Sequence, residues 1–389
     1  MIYLILGTFN MRWNTKEETL MLKNKGITLI ALVITIIILL ILAGISISAL
    51  TNQGLFKNAK EAKNRTENSQ KEEQEILNQY EDELNRHLSN NRKIEENLID
   101  NVKEGIIKIG DYVKYTPDKT NTDAILQELN TYSGSSDNTT STLTQENLNW
   151  RILDVKDGQV RLISEVPTTS KITLKGYNGY NNAVKLLDDT CNSLYNNSRL
   201  ASKTQNLKIE DIQDKMNETN YSNIYADYGK SFTLSNKYYP NILTKEKQQK
   251  VNGISGTELM NSEQTELINQ TSKVQANTLE LKNIYWRKEM NLNDFKDSKY
   301  YELFINNGTK YPTYWLSSRS ITVSSIVAGF NMQYISNANV IGITLYYTDG
   351  NEDSRKFAYR PIVTLNTDVL IETENSRDGS TAEQAYLIK

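Results

Sequence analysis

The chain has 389 residues, with 44 Lys and Arg against 47 Asp and Glu, for a formal charge of -3 at neutral pH. That near balance gives no global pull toward nucleic acid, and no nucleic-acid partner is expected. One Cys, Cys191, excludes an intramolecular disulfide, and one His, His87, excludes a His-rich zinc site.

The first long feature is residues 27–50, which run from Ile27 to Leu50 without a charge. As a helix rising about 1.5 Å per residue it would reach about 36 Å, past a bilayer core of about 30 Å. The stretch therefore predicts a transmembrane helix over 27–50, with the lipid bilayer as a partner. Lys23 and Lys25 precede it and orient the N-terminus toward the cytoplasm, leaving the C-terminal bulk extracellular. Lys57, Lys60 and Lys63 on the far side weaken that asymmetry. A secretory signal has an apolar core of only about 7–15 residues, much shorter than this one.

The boundary before this stretch is more specific than its hydrophobicity. Lys25-Gly26 followed by Ile27-Thr28-Leu29-Ile30 resembles the leader boundary of type IV pilins and type II secretion pseudopilins. The resemblance implies that residues 1–26 are a leader. It implies a prepilin peptidase that cuts after Gly26 and methylates the new N-terminus at Ile27. Ile27 stands where the family more often has Phe. Ala31 is a larger departure, because most members carry there a Glu that pairs with a neighbouring subunit's N-terminal amine. A carboxylate in lipid requires a partner, so its absence removes one specific reason to assemble. Processing and anchoring are thus implied more strongly than a long filament, with other pilin-like subunits as further expected partners. Met21 opens MLKNKG, a compact basic leader. Lys16-Glu17-Glu18 can be encoded as a ribosome-binding sequence, so translation is expected to start at Met21.

Residues 51–105 read as a helical stalk continuing the apolar stretch. Phe56, Ala59 and Ala62, then Ile76, Tyr80, Leu84 and Leu88, recur at three- to four-residue spacing among charges. A bend is expected at Gly54. Ser89-Asn90-Asn91 would end the first helix, and IEENLIDNVKEG forms a short second one closed by Gly105.

Residues 106–389 form the head. IIKIGDYVKY alternates as a strand, and 117–144 reads as a polar loop around a DAILQEL helix. NWRILDV and QVRLIS flank Lys156-Asp157-Gly158, the sharpest hairpin signal in the chain. Residues 179–198 read as a helix with Val184, Leu187, Cys191 and Leu194 on one face, and 208–216 as a shorter one. The stretch 217–276 reads as a long polar insertion. TLELKNIYW predicts a strand and LNDFKDSKYYELF a helix. From Tyr314, YWLSSRSI, IVAGFNMQYI, VIGITLYYT and AYRPIVTL predict antiparallel strands, with DVLI and AYLI at the edge. The fold class expected is α+β, a long transmembrane helix and stalk carrying a head built on mixed antiparallel sheet.

Several head segments together resemble the bacterial C-type-lectin-like group. They are Trp150 to Val155, Arg161 to Ser164, Tyr314 to Arg319, Arg360 to Leu365 and the closing Asp378 to Thr381 with Tyr386 to Ile388. The resemblance implies a lectin-like head and brings no site with it. The Glu-Pro-Asn or Gln-Pro-Asp loop and the later Trp-Asn-Asp that hold calcium in true lectins are absent from the sequence. Asp349, Glu352 and Asp353 supply three carboxylates at one turn, while calcium takes about six to eight oxygens. The turn reads as a solvated hairpin tip, with a weak calcium site as the alternative and no other cofactor expected. Arg319 and Arg360, each beside an apolar strand, read as structural ties or as ligand anchors. Trp315 reads as core or as a stacking platform. The 23 Tyr, with abundant Asn and Ser, suit an adaptable contact surface.

No GxSxG, HExxH, CxxC or GxxxxGK[ST] is present, and the single His falls in the stalk. The expectation is a non-enzyme. Its head would bind an extracellular ligand, in adhesion or display at the cell surface or on a pilus. The alternatives are a minor pseudopilin serving assembly, secretion or competence, and a processed exoprotein tethered to the membrane outside any fibre.

Overall fold

The structure is a computed structural model that describes residues 32–42, helical positions scattered over 63–80, and 97–118, 123–217, 228–245, 250–251, 264–306, 312–372 and 377–389. Two units are present, Met1–His87 and Leu88–Lys389. In the first, 32–42 is helical with its Leu, Ile and Val side chains exposed. Among the described residues no helix is long and apolar enough to cross a membrane. The expected fold class, with its long transmembrane helix and stalk, is corrected accordingly. The described chain is rich in sheet and its helices are mostly short. Gly26, Ile27 and Ala31 lie outside the described residues.

The second unit opens with α1 (Leu98–Lys103), capped by the Asn97 side chain, which accepts from the Ile99 amide at 2.9 Å. Its Leu98 is buried in the head core, so this short helix belongs to the head and not to a stalk. Next come β1 (Tyr112–Lys114), α2 (Asp123–Thr131), β2 (Trp150–Lys156), β3 (Gln159–Ser164) and β4 (Lys171–Lys175). After these lie α3 (Gly176–Tyr195), β5 (Ala201–Asn206), α4 (Ile209–Gln213), β6 (Ser231–Tyr239), α5 (Ile242–Lys245), β7 (Lys250–Val251) and β8 (Val274–Lys282). The chain closes with β9 (Lys288–Glu289), α6 (Ser298–Phe304), β10 (Tyr314–Val323), β11 (Ala328–Ser336), β12 (Asn339–Tyr347), β13 (Ser354–Ala358), β14 (Pro361–Leu365) and β15 (Tyr386–Leu387).

The strands form three sheets. The first runs β15-β1-β2-β3-β14-β5, the second β4-β13-β10-β11-β12-β9, and a small third β6-β8-β7. Pairing is antiparallel except for β1 with β15 and β10 with β13. The β2–β3 hairpin turns through Asp157 and Gly158 at φ of 50° and 78°, the double left-handed geometry that a two-residue hairpin requires. The segment AYRPIVTL is not one strand. Ala358 ends β13 in the second sheet and Pro361 opens β14 in the first, so Tyr359-Arg360 crosses between them.

Helix α3 is the central packing element. Ala183, Leu186, Leu187, Cys191 and Leu194 recur at helical spacing and meet Trp150, Ile152, Leu162 and Val363 from the first sheet. Trp315, Met332 and Leu345 from the second sheet complete this cluster. Cys191 is fully buried there, and burial pushes its thiol well above the ordinary range. A second cluster joins the other face of the first sheet to α4, α6 and the Leu316, Ile335 and Val340 end of the second. The third holds the small sheet against Tyr180, Ile321 and Phe330. Part of the polar insertion expected over 217–276 therefore forms strand, and its Leu234 and Tyr239 are buried in a core shared with α3 and the second sheet.

Candidate functional site

The three residues offered by the sequence as ligand anchors face inward. Arg319 and Trp315 are fully buried and Arg360 is 1% exposed. Arg319 donates to the carbonyls of Tyr180 and Asn181 at 3.3 and 2.8 Å and lies 5.7 Å from the centre of the Tyr180 ring. Arg360 donates to the carbonyls of Ser164 and Glu165 at 3.0 and 2.9 Å, over the Tyr314 ring. Burial pulls the Arg360 pKa down. Trp315 donates its indole N–H to the Ile172 carbonyl at 2.9 Å. None of the three can meet a ligand at the surface, and the ligand-anchor reading is corrected. Arg360, at the crossover between β13 and β14, ties the end of β3, and Arg319, within β10, ties α3 to the second sheet.

The carboxylates of the 349–353 turn go to separate partners. Asp349 accepts from the Asn351 amide and side chain at 2.9 Å each. Asp353 pairs with Arg355 at 2.8 Å, and Glu352 lies against Gly176. Among the described residues no group of three or more His, Cys, Asp or Glu is placed to hold a metal ion.

The densest buried charge is closed on itself. Arg161 bonds Asp154 through two nitrogens at 2.7 and 2.6 Å and reaches Asp211, and Lys215 meets Asp154 from the other side. Burial opposes ionisation of Asp154, but Arg161 and Lys215 outweigh it and hold the carboxyl below its ordinary value. Every partner is spent internally, so the cluster pins α4 to the first sheet and offers nothing outward.

An open polar groove lies instead on the outer face of β10–β12. Its volume is about 410 Å³, and its lining includes Thr322, Asn331 and Thr344 from the strands and Tyr285 and Arg287 from the segment before β9. Strand register brings the floor together: Ser320 and Thr344 both pair with Asn331, and Thr322 with Gly329. Asn331 is the hub. Its side-chain amide donates to Thr322 Oγ1 at 2.8 Å, and its Oδ1 accepts from Thr344 Oγ1 at 2.6 Å. This fixes the amide orientation and leaves Thr322 and Thr344, both half-buried, with bonding capacity to spare. Gly342 matters through its missing side chain. A Cβ there would stand 2.7 Å from Tyr285 Cε2 and 3.1 Å from Ser320 Oγ, so glycine lets the Tyr285 ring lie on the floor. At one end the β10–β11 turn, tied by Ser324 to the Val327 carbonyl at 3.0 Å, presents Ile326 at 72% exposure.

None of these residues was singled out by sequence reasoning. The available signal was period-two alternation: Ser320 and Thr322, Asn331 and Gln333, Gly342 and Thr344 are the polar or small members of strands whose other face is apolar. Such alternation marks a solvent face, and only the register shows that three such faces adjoin.

No protein-family model matches the chain, and neither a curated protein nor a solved structure matches it.

Proposed function

We propose that this chain is a pilin-like bacterial surface protein whose head binds an extracellular ligand in the groove on β10–β12. The observation that carries the reading is that groove: an open, uncharged hydrogen-bonding floor organised by Asn331 on a rigid central sheet. Its lining holds no carboxylate, imidazole or thiol among the described residues, which supports binding over catalysis. The sequence around Gly26 and Ile27 supports cleavage by a prepilin peptidase and attachment at the cell membrane through the apolar N-terminal segment. Ala31 favours a processed protein that stays outside a long fibre.

Two experiments test the reading. The full-length protein in mild detergent should bind target cells or an arrayed set of glycans. Asn331→Ala should abolish that signal with the fold retained; an unchanged signal would remove the groove from the proposal. Shearing native cells and reading the N-terminus in each fraction tests the rest. Methylated Ile27 confined to membranes is expected, whereas residues before Gly26 in every fraction would overturn the pilin-like reading.

A further inference from the structure

We infer that the groove takes an acidic saccharide, with the ligand hydroxyls on the Thr322–Asn331–Thr344 floor and its carboxylate on Arg287. The inference rests on the binding reading above and names the ligand class for that same site.

Arg287 is the only charged residue among the twelve that line the groove. It is exposed and has no hydrogen bond or ion pair among the described residues. Its neighbour Lys288 is buried and committed to Asp294 at 3.0 Å. Of the other basic side chains on the sheets, Arg161 and Arg355 are paired with carboxylates, Arg319 and Arg360 are bonded to carbonyls, and none lines the groove. A guanidinium at the edge of a neutral groove provides a planar two-point donor that fits a carboxylate.

The floor specifies the rest of the ligand. Thr322 accepts from Asn331 and keeps its O–H to donate, while Thr344 donates its O–H to Asn331 and keeps its lone pairs to accept. Asn331 is itself only 2% exposed, so it orients the two threonine hydroxyls that meet the ligand. Neighbouring groups that both give and accept match vicinal hydroxyls, which do the same. The apolar contributions are Val323 and Val327 with the Tyr285 and Tyr347 rings, too few for an apolar ligand and suited to the C–H face of a sugar. The volume of 410 Å³ accommodates a short oligosaccharide and lies in the usual range of about 300–1,000 Å³ for small-ligand sites. Gly329 and Gly342 leave room for the Thr344 side chain and the Tyr285 ring, which a Cβ at either position would crowd out of the groove wall.

Titration of the full-length protein in detergent with matched trisaccharides tests this: uronic-acid and sialic-acid probes against their neutral counterparts. The acidic probes should bind about fivefold more tightly at low salt, the scale of one exposed ion pair, and the preference should fade as salt rises. Arg287→Gln, at an exposed position, should bring the acidic probes down to the affinity of their neutral counterparts. Thr344→Val should weaken both probes. Equal affinity for acidic and neutral probes, or a preference that survives Arg287→Gln, would overturn the inference. So would the failure of every saccharide to bind. The binding reading fails separately, only if cell or array binding is indifferent to Asn331→Ala.

Discussion

The outer face of the second sheet is two surfaces on one set of strands. Toward one end, Leu316, Ile335 and Val340 lie under Trp286, Met290 and Phe304 and see no solvent. A few residues along, the same face carries Thr322, Asn331 and Thr344 and stays open. The backbone is shared, so the difference comes from side chains alone. Where they are apolar, the chain between β8 and β10 returns to cover them. Where they are hydroxyls and amides already bonded to each other, covering them would gain little apolar burial and would strip water from the oxygens. A sheet face can thus be half core and half site, with the line drawn by which residues occupy alternate positions.

Substitutions should separate the two halves. The largest effect is expected from Leu316→Ala in the covered half, with a loss of about 2–5 kcal/mol in denaturant unfolding. Arg360→Met should follow at about 2–4 kcal/mol, because the Ser164 and Glu165 carbonyls lose their buried donors. The acid limb of the stability profile comes next. The Asp154 pKa is held down in the folded state, so its contribution is complete above the ordinary carboxylate range near pH 4 and drains away as pH falls below it. Asp154→Asn should lower stability at neutral pH and flatten that limb in thermal unfolding followed from pH 7 to pH 2. The smallest effect is expected in the open half: Thr322→Val, which takes the acceptor from the Asn331 amide, should lower stability by about 1 kcal/mol while weakening ligand binding several-fold. A Thr322→Val loss as large as that of Leu316→Ala would mean that the open half is core after all.

Local signals carried much of the fold. Asp157-Gly158 specified a hairpin whose turn residues take the left-handed geometry such a turn demands, and the apolar spacing of 183–194 specified α3. Signals that depend on distant partners did not carry. In SFTLSNKYY the alternation is weak, and its pairing partner in β8 lies dozens of residues away, so β6 read as loop. The split of AYRPIVTL was concealed because both halves are apolar and only their partners differ. The groove was less legible still. Its floor needs three registers to coincide, while the arginines and tryptophan that drew attention in the sequence are large side chains used to fill and tie the interior.

The segment from Asn97 is tied to the C-terminal strands of the head. Asn97 bridges Leu370 and reaches the Thr367 carbonyl, the Leu98 amide bonds the Val369 carbonyl, and β1 pairs with β15. A pull applied to the chain at Asn97 is therefore shared at once with the C-terminal segment and with the first sheet. The β10–β12 strands are not in that line of force. The head can carry tension through its terminal strands while the groove keeps its shape, as a hook keeps its bend when the load runs through the shank.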